Sequence, residues 1–184
     1  MAFSRIYLGK PWCEAIQLDD GRRLIARPMR SSDGPTLRRS FRKLTPEEIR
    51  MRFMHPIKEL TPSYADRLAR IDRHREFALV LVENLPPEEA LIGAVVRAAI
   101  DDHQQRAEFA IIVGREIAGQ GLGQYLMKRV VEWSRKKRLK ELYGRVLIDN
   151  HAMLRLARSL GFKQRYGDPD EDSDVVEVYL PLNR

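Results

Sequence analysis

The chain has 184 residues, of which 43% are hydrophobic and 32% charged, and it carries a net charge of +7. This length and composition indicate one globular domain with its own core, and they exclude a disordered, collagen-like or coiled-coil protein. A single cysteine, Cys13, excludes an internal disulfide and a cysteine-rich zinc site. The four histidines lack metal-ligand spacing, so we expect no metal.

Neither a membrane span nor a secretion signal is predicted. No window approaches the roughly 20 apolar residues of a membrane helix, and the opening MAFSRIYLGK lacks the apolar stretch of a signal peptide. We therefore expect a reducing, cytoplasmic setting and no membrane partner. The positive charge suits an anionic partner or a solvated surface. Because the basic residues are not interleaved with aromatic ones, nucleic acid is a less favoured partner than a phosphate-rich cofactor.

The first part of the chain predicts an arm, a strand and three helices. Residues 1–22 show weak periodicity and are interpreted as an N-terminal arm or lead-in, so the main domain is predicted to span 23–184. The segment RLIAR at 23–27 predicts a short strand. The three helices carry N-terminal capping residues and prolines at their first turns, and they are predicted at 34–43, from Thr45 and from Thr61.

The second part predicts strands and helices in alternation. Three apolar runs of strand length come first, at 77–82, 91–100 and 107–113. They are followed by a helix at about 121–137, a strand at 142–148, a helix that begins after Asn150 and ends at Gly161, and two closing strands. This order predicts an α/β domain with one mixed sheet and flanking helices.

The sharpest local motif is a glycine-rich segment, AGQGLG at 118–123, between a buried strand and an amphipathic helix. Glycines bring backbone N–H groups close to a ligand, and a helix N-terminus adds free donors and a positive dipole end, so the segment suits a pyrophosphate. A P-loop is excluded because no Gly-Lys-Ser/Thr follows. The dinucleotide fingerprint is excluded because Gln124 stands where its third glycine belongs. A tight turn that only connects strand and helix is the alternative.

The same segment resembles the acetyl-CoA signature of the GNAT N-acetyltransferases, R/Q-x-x-G-x-G/A. Gly121 and Gly123 match it, whereas Ala118 stands where the family usually has Arg or Gln. Asn150 and the later Leu-Gly-Phe at 160–162 also resemble the family, and the order of elements agrees over roughly 23–181. Within the family, segments such as FRKLTPEEIRMRF, IDRHREFALV and MLRLARSLGF resemble the GNAT domain of bacterial Pat-type protein lysine acetyltransferases.

This resemblance implies a GNAT-like acyl-CoA N-acyltransferase fold and acetyl-CoA as co-substrate. It further implies that backbone N–H groups of the glycine segment hold the pyrophosphate and that two strand edges flank the pantetheine arm. The cofactor-binding residues expected on this basis are Ile112, Val113, Gln120, Gly121, Leu122, Gly123 and Asn150, with the strand edge at 147–148 on the other side.

Glu108 is the candidate catalytic residue. It stands at the start of an apolar strand that leads to the glycine segment, and alternation places it on one face with Ala110 and Ile112. The attack of an amine on a thioester profits from a base. The resemblance implies that Glu108 is this base, since the Pat-like branch uses the equivalent glutamate. The alternative is a structural carboxylate paired with Arg106 or Arg97.

A general acid is less evident. Many GNAT enzymes carry a tyrosine seven residues after the asparagine, and here that position is Ala157. Tyr143 and Tyr166 are possible substitutes, although packing in the core is the simpler role for each. His74 beside Asp72 is expected to form a solvated or capping pair in a loop rather than a catalytic one.

The predicted function is acetyl transfer from acetyl-CoA to a primary amine, with the lysine of a protein substrate as the favoured acceptor. Acetylation of a small-molecule amine, a CoA-binding sensor without turnover and a basic nucleic-acid-binding module are the alternatives. The acidic segment 168–174 has five carboxylates, and the resemblance to GNAT domains implies that it borders the acceptor entrance, where it would attract basic substrates. The alternative is a solvated loop that offsets positive charge.

Overall fold

The computed structural model describes residues 3–167 and 174–182. The strands are β1 (Phe3–Gly9), β2 (Cys13–Leu18), β3 (Arg23–Pro28), β4 (Glu76–Glu83), β5 (Ile92–Ile100), β6 (Arg106–Val113), β7 (Glu141–Leu147), β8 (Lys163–Arg165) and β9 (Val175–Pro181). The helices are α1 (Gly34–Phe41), α2 (Pro46–Phe53), α3 (Pro62–Ala69), α4 (Leu122–Lys136) and α5 (His151–Ser159).

All nine strands form one mixed sheet in the order β1-β2-β3-β4-β5-β6-β7-β9-β8. Neighbouring strands pair antiparallel except β6 and β7, which are parallel. The predicted α/β class with a mixed sheet and flanking helices is confirmed.

The arm or lead-in predicted at 1–22, in which no strand was expected, has regular secondary structure. Its described part forms the hairpin β1–β2, which extends the sheet through pairing of β2 with β3. The apolar alternation is weak because most of β1 is exposed, while Ile16 and Leu18 of β2 are buried in the core. Hydrogen bonding to the sheet edge therefore supplies the order that the hydrophobic pattern does not show.

Helices cover both faces of the sheet, and each face has its own core. One core joins α4 and α5 to apolar side chains such as Leu81, Val96 and Phe109. The other joins α1, α2 and α3 to the opposite face, including Val80 and Val82. Consecutive side chains of β4 thus enter different cores, which is why this strand is an unbroken apolar run.

Two predicted helix starts are confirmed in detail. The Thr45 hydroxyl accepts a hydrogen bond from the backbone N–H of Glu48, and the Glu48 carboxylate accepts one from the backbone N–H of Thr45. Asn150 caps α5, since its side-chain oxygen accepts a hydrogen bond from the backbone N–H of Met153 at 3.1 Å. Both caps lie at the cleft described next, so they also set the orientation of the helices that line it.

Candidate active site

The sheet opens between β6 and β7. The two strands pair only at three positions, from Arg106 with Glu141 to Glu108 with Tyr143, although both continue for several residues beyond them. The edge of β6 at 109–113 therefore faces a gap in the sheet instead of a neighbouring strand. Unpaired backbone groups at such a gap are available to a ligand.

The glycine segment lies at the wide end of this gap. Gly121 caps α4 with φ of +83°, a left-handed conformation that favours glycine, and no side chain caps the helix. The first intrahelical hydrogen bond runs from the N–H of Tyr125 to the carbonyl of Gly121. The N–H groups of the first helical turn consequently point out of the helix, at its positive end, as an anion site requires.

Gly123 has a second reason to be glycine. A Cβ at this position would lie 3.1 Å from a methyl carbon of Leu156 on α5, which is closer than side-chain carbons normally approach. The absence of a side chain lets α4 and α5 meet closely beside the gap. Gly123 thus contributes to the shape of the site through helix packing as well as through its backbone.

Most of the predicted cofactor-binding residues line one cleft of about 350 Å³. They are Ile112, Val113, Gly121, Leu122, Gly123 and Asn150. Gln120 does not line it, because its side chain lies near Asp20 in the β2–β3 turn. Hydrogen bonds from Arg22 are the main cause of the lowered pKa of that carboxyl, and Gln120 adds the smallest contribution. Met153 and Leu156 of α5 add apolar lining that the sequence did not single out.

The residues of this cleft fit acetyl-CoA. Its walls are largely apolar, as the pantetheine arm requires, and one end presents the free N–H groups of α4, as a pyrophosphate requires. Among the residues that line the cleft only Arg52 is a cation, so the backbone N–H groups at the helix N-terminus are the main anion donors that this end offers.

Helix α2 lies over the cleft, and ion pairs connect it to both sides. Glu48 accepts hydrogen bonds from the backbone N–H and the guanidinium of Arg115, at 3.2 and 2.8 Å. On the opposite side, Arg50 pairs with Asp149, which precedes α5. Burial raises the pKa of Glu48, but hydrogen bonds from Thr45 and Arg115 outweigh this effect and hold the pKa below its ordinary value.

A second pocket, of about 240 Å³, contains Glu108 and is called the Glu108 pocket below. It adjoins the cleft of about 350 Å³ just described, which we call the cofactor cleft. The two cavities share lining residues at their junction, among them Ile111, Asn150 and Met153. The Glu108 carboxylate is 40% exposed and lies 3.3 Å from Nε of Arg145 and 3.4 Å from the Tyr143 hydroxyl. Its ion partner is thus Arg145, whereas Arg106 pairs with Asp101, Glu141 and Glu177, and Arg97 donates to the carbonyl of Leu68.

Residues 23–163 match the family described as the acetyltransferase (GNAT) domain. The chain belongs to the GNAT acetyltransferase family. An acetyltransferase from Pseudomonas aeruginosa is 30% identical over 168 residues, which cover 91% of this chain and 88% of that protein. The chain is therefore an N-acetyltransferase that uses acetyl-CoA.

Solved structures with about 20% identity show the same fold. The GNAT domain of Streptomyces lividans PAT superposes with a TM-score of 0.79 and 20% identity, covering 95% of this chain and 99% of that domain. The spermidine N-acetyltransferase of Vibrio cholerae, in complex with CoA and spermine, gives a TM-score of 0.68 and 20% identity, covering 86% and 95%. The GNAT-like fold expected from the sequence is confirmed.

No side chain of this GNAT acetyltransferase stands ready as a general acid at the position of the family tyrosine. Ala157 is buried in the core between α5 and the sheet. Tyr166 is 73% exposed, and its hydroxyl is bonded to Gln164. Tyr143 does lie in the site, beside Glu108, but burial and the Glu108 charge raise its pKa, which makes it a weaker acid.

Four other predictions from the sequence concern features outside the cleft. The backbone N–H of His74 donates to the Asp72 carboxylate, so this pair caps a turn as expected. Within the described ranges there is no group of three His, Cys, Asp or Glu side chains that could hold a metal, and no helix there is long and apolar enough to cross a membrane. Of the acidic segment 168–174, only Asp174 lies within the described residues; its carbonyl accepts a hydrogen bond from the N–H of Ile148.

Proposed function

We propose that this acetyltransferase modifies the side-chain amine of a protein lysine, with Glu108 as the general base. The observation that carries the proposal is the position of Glu108 where β6 and β7 separate, in a pocket that joins the cofactor cleft. The cytoplasm is the proposed setting, because a single cysteine is typical of a protein in a reducing compartment.

A base is needed because the acceptor amine is protonated in water. With a lysine pKa of ~10.4, the neutral amine at pH 7 lies about 4.6 kcal/mol above the ammonium. Acetyl-CoA, when bound, supplies the thioester carbon that the neutral amine attacks. A carboxylate near that position removes the amine proton, directly or through one water, and such a contribution is typically ~10²–10⁴ in rate.

The contacts of Glu108 leave its carboxylate able to accept this proton. The bonds to Tyr143 and Arg145, at 3.4 and 3.3 Å, are longer than the ~2.7–3.0 Å of strong hydrogen bonds. Arg145 is itself 61% exposed, so water screens the pair. The thiolate that leaves has a parent thiol pKa near ~8.5, so protonation by solvent is sufficient and Ala157 needs no acidic substitute.

The charge of the pocket that contains Glu108 favours a protein lysine over a polyamine as the acceptor. Arg52 and Arg145 line the pocket together with Glu108, so its cations outnumber its carboxylates among these three residues. A polyamine carries several positive charges close together, and these would be repelled. A single lysine with neutral or acidic neighbours carries one positive charge and would be repelled less.

The decisive experiment compares the wild-type protein with Glu108→Gln on lysine-containing proteins and on spermidine. We expect lysine acetylation by the wild type and a fall in kcat of about 10²–10⁴ in Glu108→Gln at pH 7, with the affinity for acetyl-CoA unchanged. Glu177→Gln is the matched control, because Glu177 is also a strand carboxylate paired with arginine but lies outside both cavities.

Two results would contradict the proposal. Normal turnover by Glu108→Gln would place the base elsewhere. Acetylation restricted to small amines, tested by comparing the acetylated proteome of cells with and without this chain, would remove the protein lysine as acceptor.

A further inference from the structure

Arg52 occupies the junction of the site without an acidic partner. It lies in the last turn of α2 and is half-buried, with its guanidinium carbon 4.6 Å from the centre of the Phe53 ring. It lines the cofactor cleft, the Glu108 pocket and a third cavity under the α1–α3 layer. Within residues 3–167 and 174–182, no carboxylate forms an ion pair with it.

Arg97 of β5 lines the same third cavity. It pairs with Ala110 in the β5–β6 ladder, so its side chain is on the sheet face that also carries Glu108. Its guanidinium donates to the carbonyl of Leu68 at 2.9 Å, and no described carboxylate forms an ion pair with it either. Two half-buried cations therefore share one cavity.

The surroundings of the two cations are apolar and confined. The cavity has a volume of about 80 Å³ and is lined mainly by hydrophobic residues such as Leu37, Phe41 and Leu68. A water molecule occupies ~30 Å³ in the liquid, so this space has room for a small polar group such as a carboxylate.

The pKa values agree with burial of positive charge that nearby acidic groups, Glu108 for Arg52 and Glu76 for Arg97, only partly offset. Burial, and next the charge of Arg97, lower the pKa of Arg52 to about 10, and burial lowers the pKa of Arg97 as well. Bringing an anion into the cavity would offset the repulsion between the two guanidinium groups and restore part of the lost solvation.

We propose that Arg52 and Arg97 form a subsite for a carboxylate carried by one of the two substrates. Arginine suits this role because its planar guanidinium binds a carboxylate through two parallel hydrogen bonds. The carboxylate belongs either to the acyl group of a dicarboxylic acyl-CoA or to an acceptor whose amine has an acidic group nearby. The inference rests on the proposed function, because it assigns the substrate chemistry of the same site.

The first arm of the test concerns the acyl group and measures binding without turnover. Succinyl-CoA and butyryl-CoA have four-carbon acyl chains that differ in ending with a carboxylate or a methyl group. If the acyl group carries the carboxylate, calorimetry on the wild-type protein should show succinyl-CoA binding about tenfold or more tightly than butyryl-CoA.

The second arm concerns the acceptor. Two lysine peptides that differ only by Asp or Asn beside the lysine are acetylated with acetyl-CoA. If the acceptor carries the carboxylate, kcat/KM should be about tenfold or more higher for the Asp peptide. A preference in either arm supports the subsite and identifies its source.

Variants of Arg52 then show whether the preference belongs to this residue. Arg52→Gln should abolish the preference for the carboxylate. Arg52→Lys retains the charge but cannot form two parallel hydrogen bonds, so it should keep part of the preference. Arg67→Gln is the matched control, since Arg67 also stacks on an aromatic ring, that of Tyr64 at 5.0 Å, but is exposed and lines none of the three cavities. Melting curves verify that each variant is folded.

Two outcomes overturn the subsite. One is a wild-type protein with no preference in either arm; the other is a preference that Arg52→Gln leaves unchanged. Failure of the proposed function gives a different result from failure of the subsite. Tighter binding of succinyl-CoA without any lysine acetylation would refute the protein-lysine assignment and leave the subsite standing.

Discussion

The two neighbours of β6 are bound to it very differently. On one side, β5 pairs with β6 at seven successive positions, from Ala94 with Val113 to Ile100 with Ala107. On the other side, β7 pairs at only three, and the strands then separate. The same strand thus has one edge that is satisfied within the sheet and one that remains open over most of its length.

The difference shows where this fold places its function. A closed ladder satisfies backbone groups and stabilises the sheet, but it leaves no room for a ligand. The open edge of β6 lacks some of these backbone hydrogen bonds. The cofactor cleft, Glu108 and the start of α5 all meet there. A gap of this kind persists only because neighbouring elements hold it in place, and three substitutions test how they do so.

The largest effect is expected where the strands begin to separate. Gly144 of β7 directly follows Tyr143, the last residue of β7 that pairs with β6. A Cβ on Gly144 would lie 2.6 Å from two carbons of the Phe109 ring. Gly144→Ala must displace this buried ring, which packs against Phe162, and should lower the free energy of unfolding by about 1–3 kcal/mol. Chemical denaturation measures the change.

Phe109→Leu provides the control for this steric explanation. Its smaller side chain should restore part of the stability in the Gly144→Ala background, although it is destabilising by itself. Additive losses in the double variant would show that the ring and the glycine do not compete for the same space.

An effect of about 1–2 kcal/mol is expected in the glycine segment. Gly121→Ala places a Cβ on a residue with φ of +83°, and the strain should lower the stability of the free protein by that amount. The stabilisation by acetyl-CoA, about 2.7 kcal/mol at a concentration 100 times the dissociation constant, should also decrease. Thermal unfolding with and without acetyl-CoA measures both.

Gly21→Ala is the matched control for this substitution. Gly21 has φ of +89° and open space around its missing Cβ, but it lies in the β2–β3 turn, outside the cofactor cleft. It should lose similar stability and keep the full response to acetyl-CoA. An equal loss of the response in both variants would mean that the glycine segment has no special role in binding.

The smallest effect is expected where α2 is attached over the cleft. Glu48→Gln retains a side-chain oxygen for the cap but loses the charge that pairs with Arg115, so we expect a loss of less than about 1 kcal/mol at pH 7. Because the pKa of Glu48 is lowered in the folded state, its stabilising effect is present at neutral pH and is lost as the pH falls through that lowered value.

Melting temperatures of the wild type and Glu48→Gln should therefore differ at pH 7 and converge at acidic pH, once Glu48 is protonated in the folded protein. The difference at pH 7 should also shrink in ~1 M salt, which screens the exposed guanidinium of Arg115. A difference that persists at low pH would assign the effect to the shape of the side chain instead of its charge.

Local signals explain which parts of the fold and the site were predictable. The buried strands, the caps at Thr45 and Asn150 and the glycine turn depend on residues close together in the chain, and each was predicted at its place. The hairpin in residues 1–22 was missed because most side chains of β1 are exposed and give no apolar pattern. The role of α2 over the cleft was missed because Glu48 and Arg115 are 67 residues apart.

The sequence by itself determined the class of fold, the family and the position of the glycine turn between β6 and α4, because hydrophobic periodicity, capping residues and glycine spacing act over a few residues. Only the tertiary structure decided what surrounds Glu108. Arg52 of α2 lines one pocket with Glu108 and Arg145 and another with Arg97, because packing brings these elements together on one face of an open sheet. Electrostatic interactions depend on distance and burial, and neither can be read from the separation of residues along the chain.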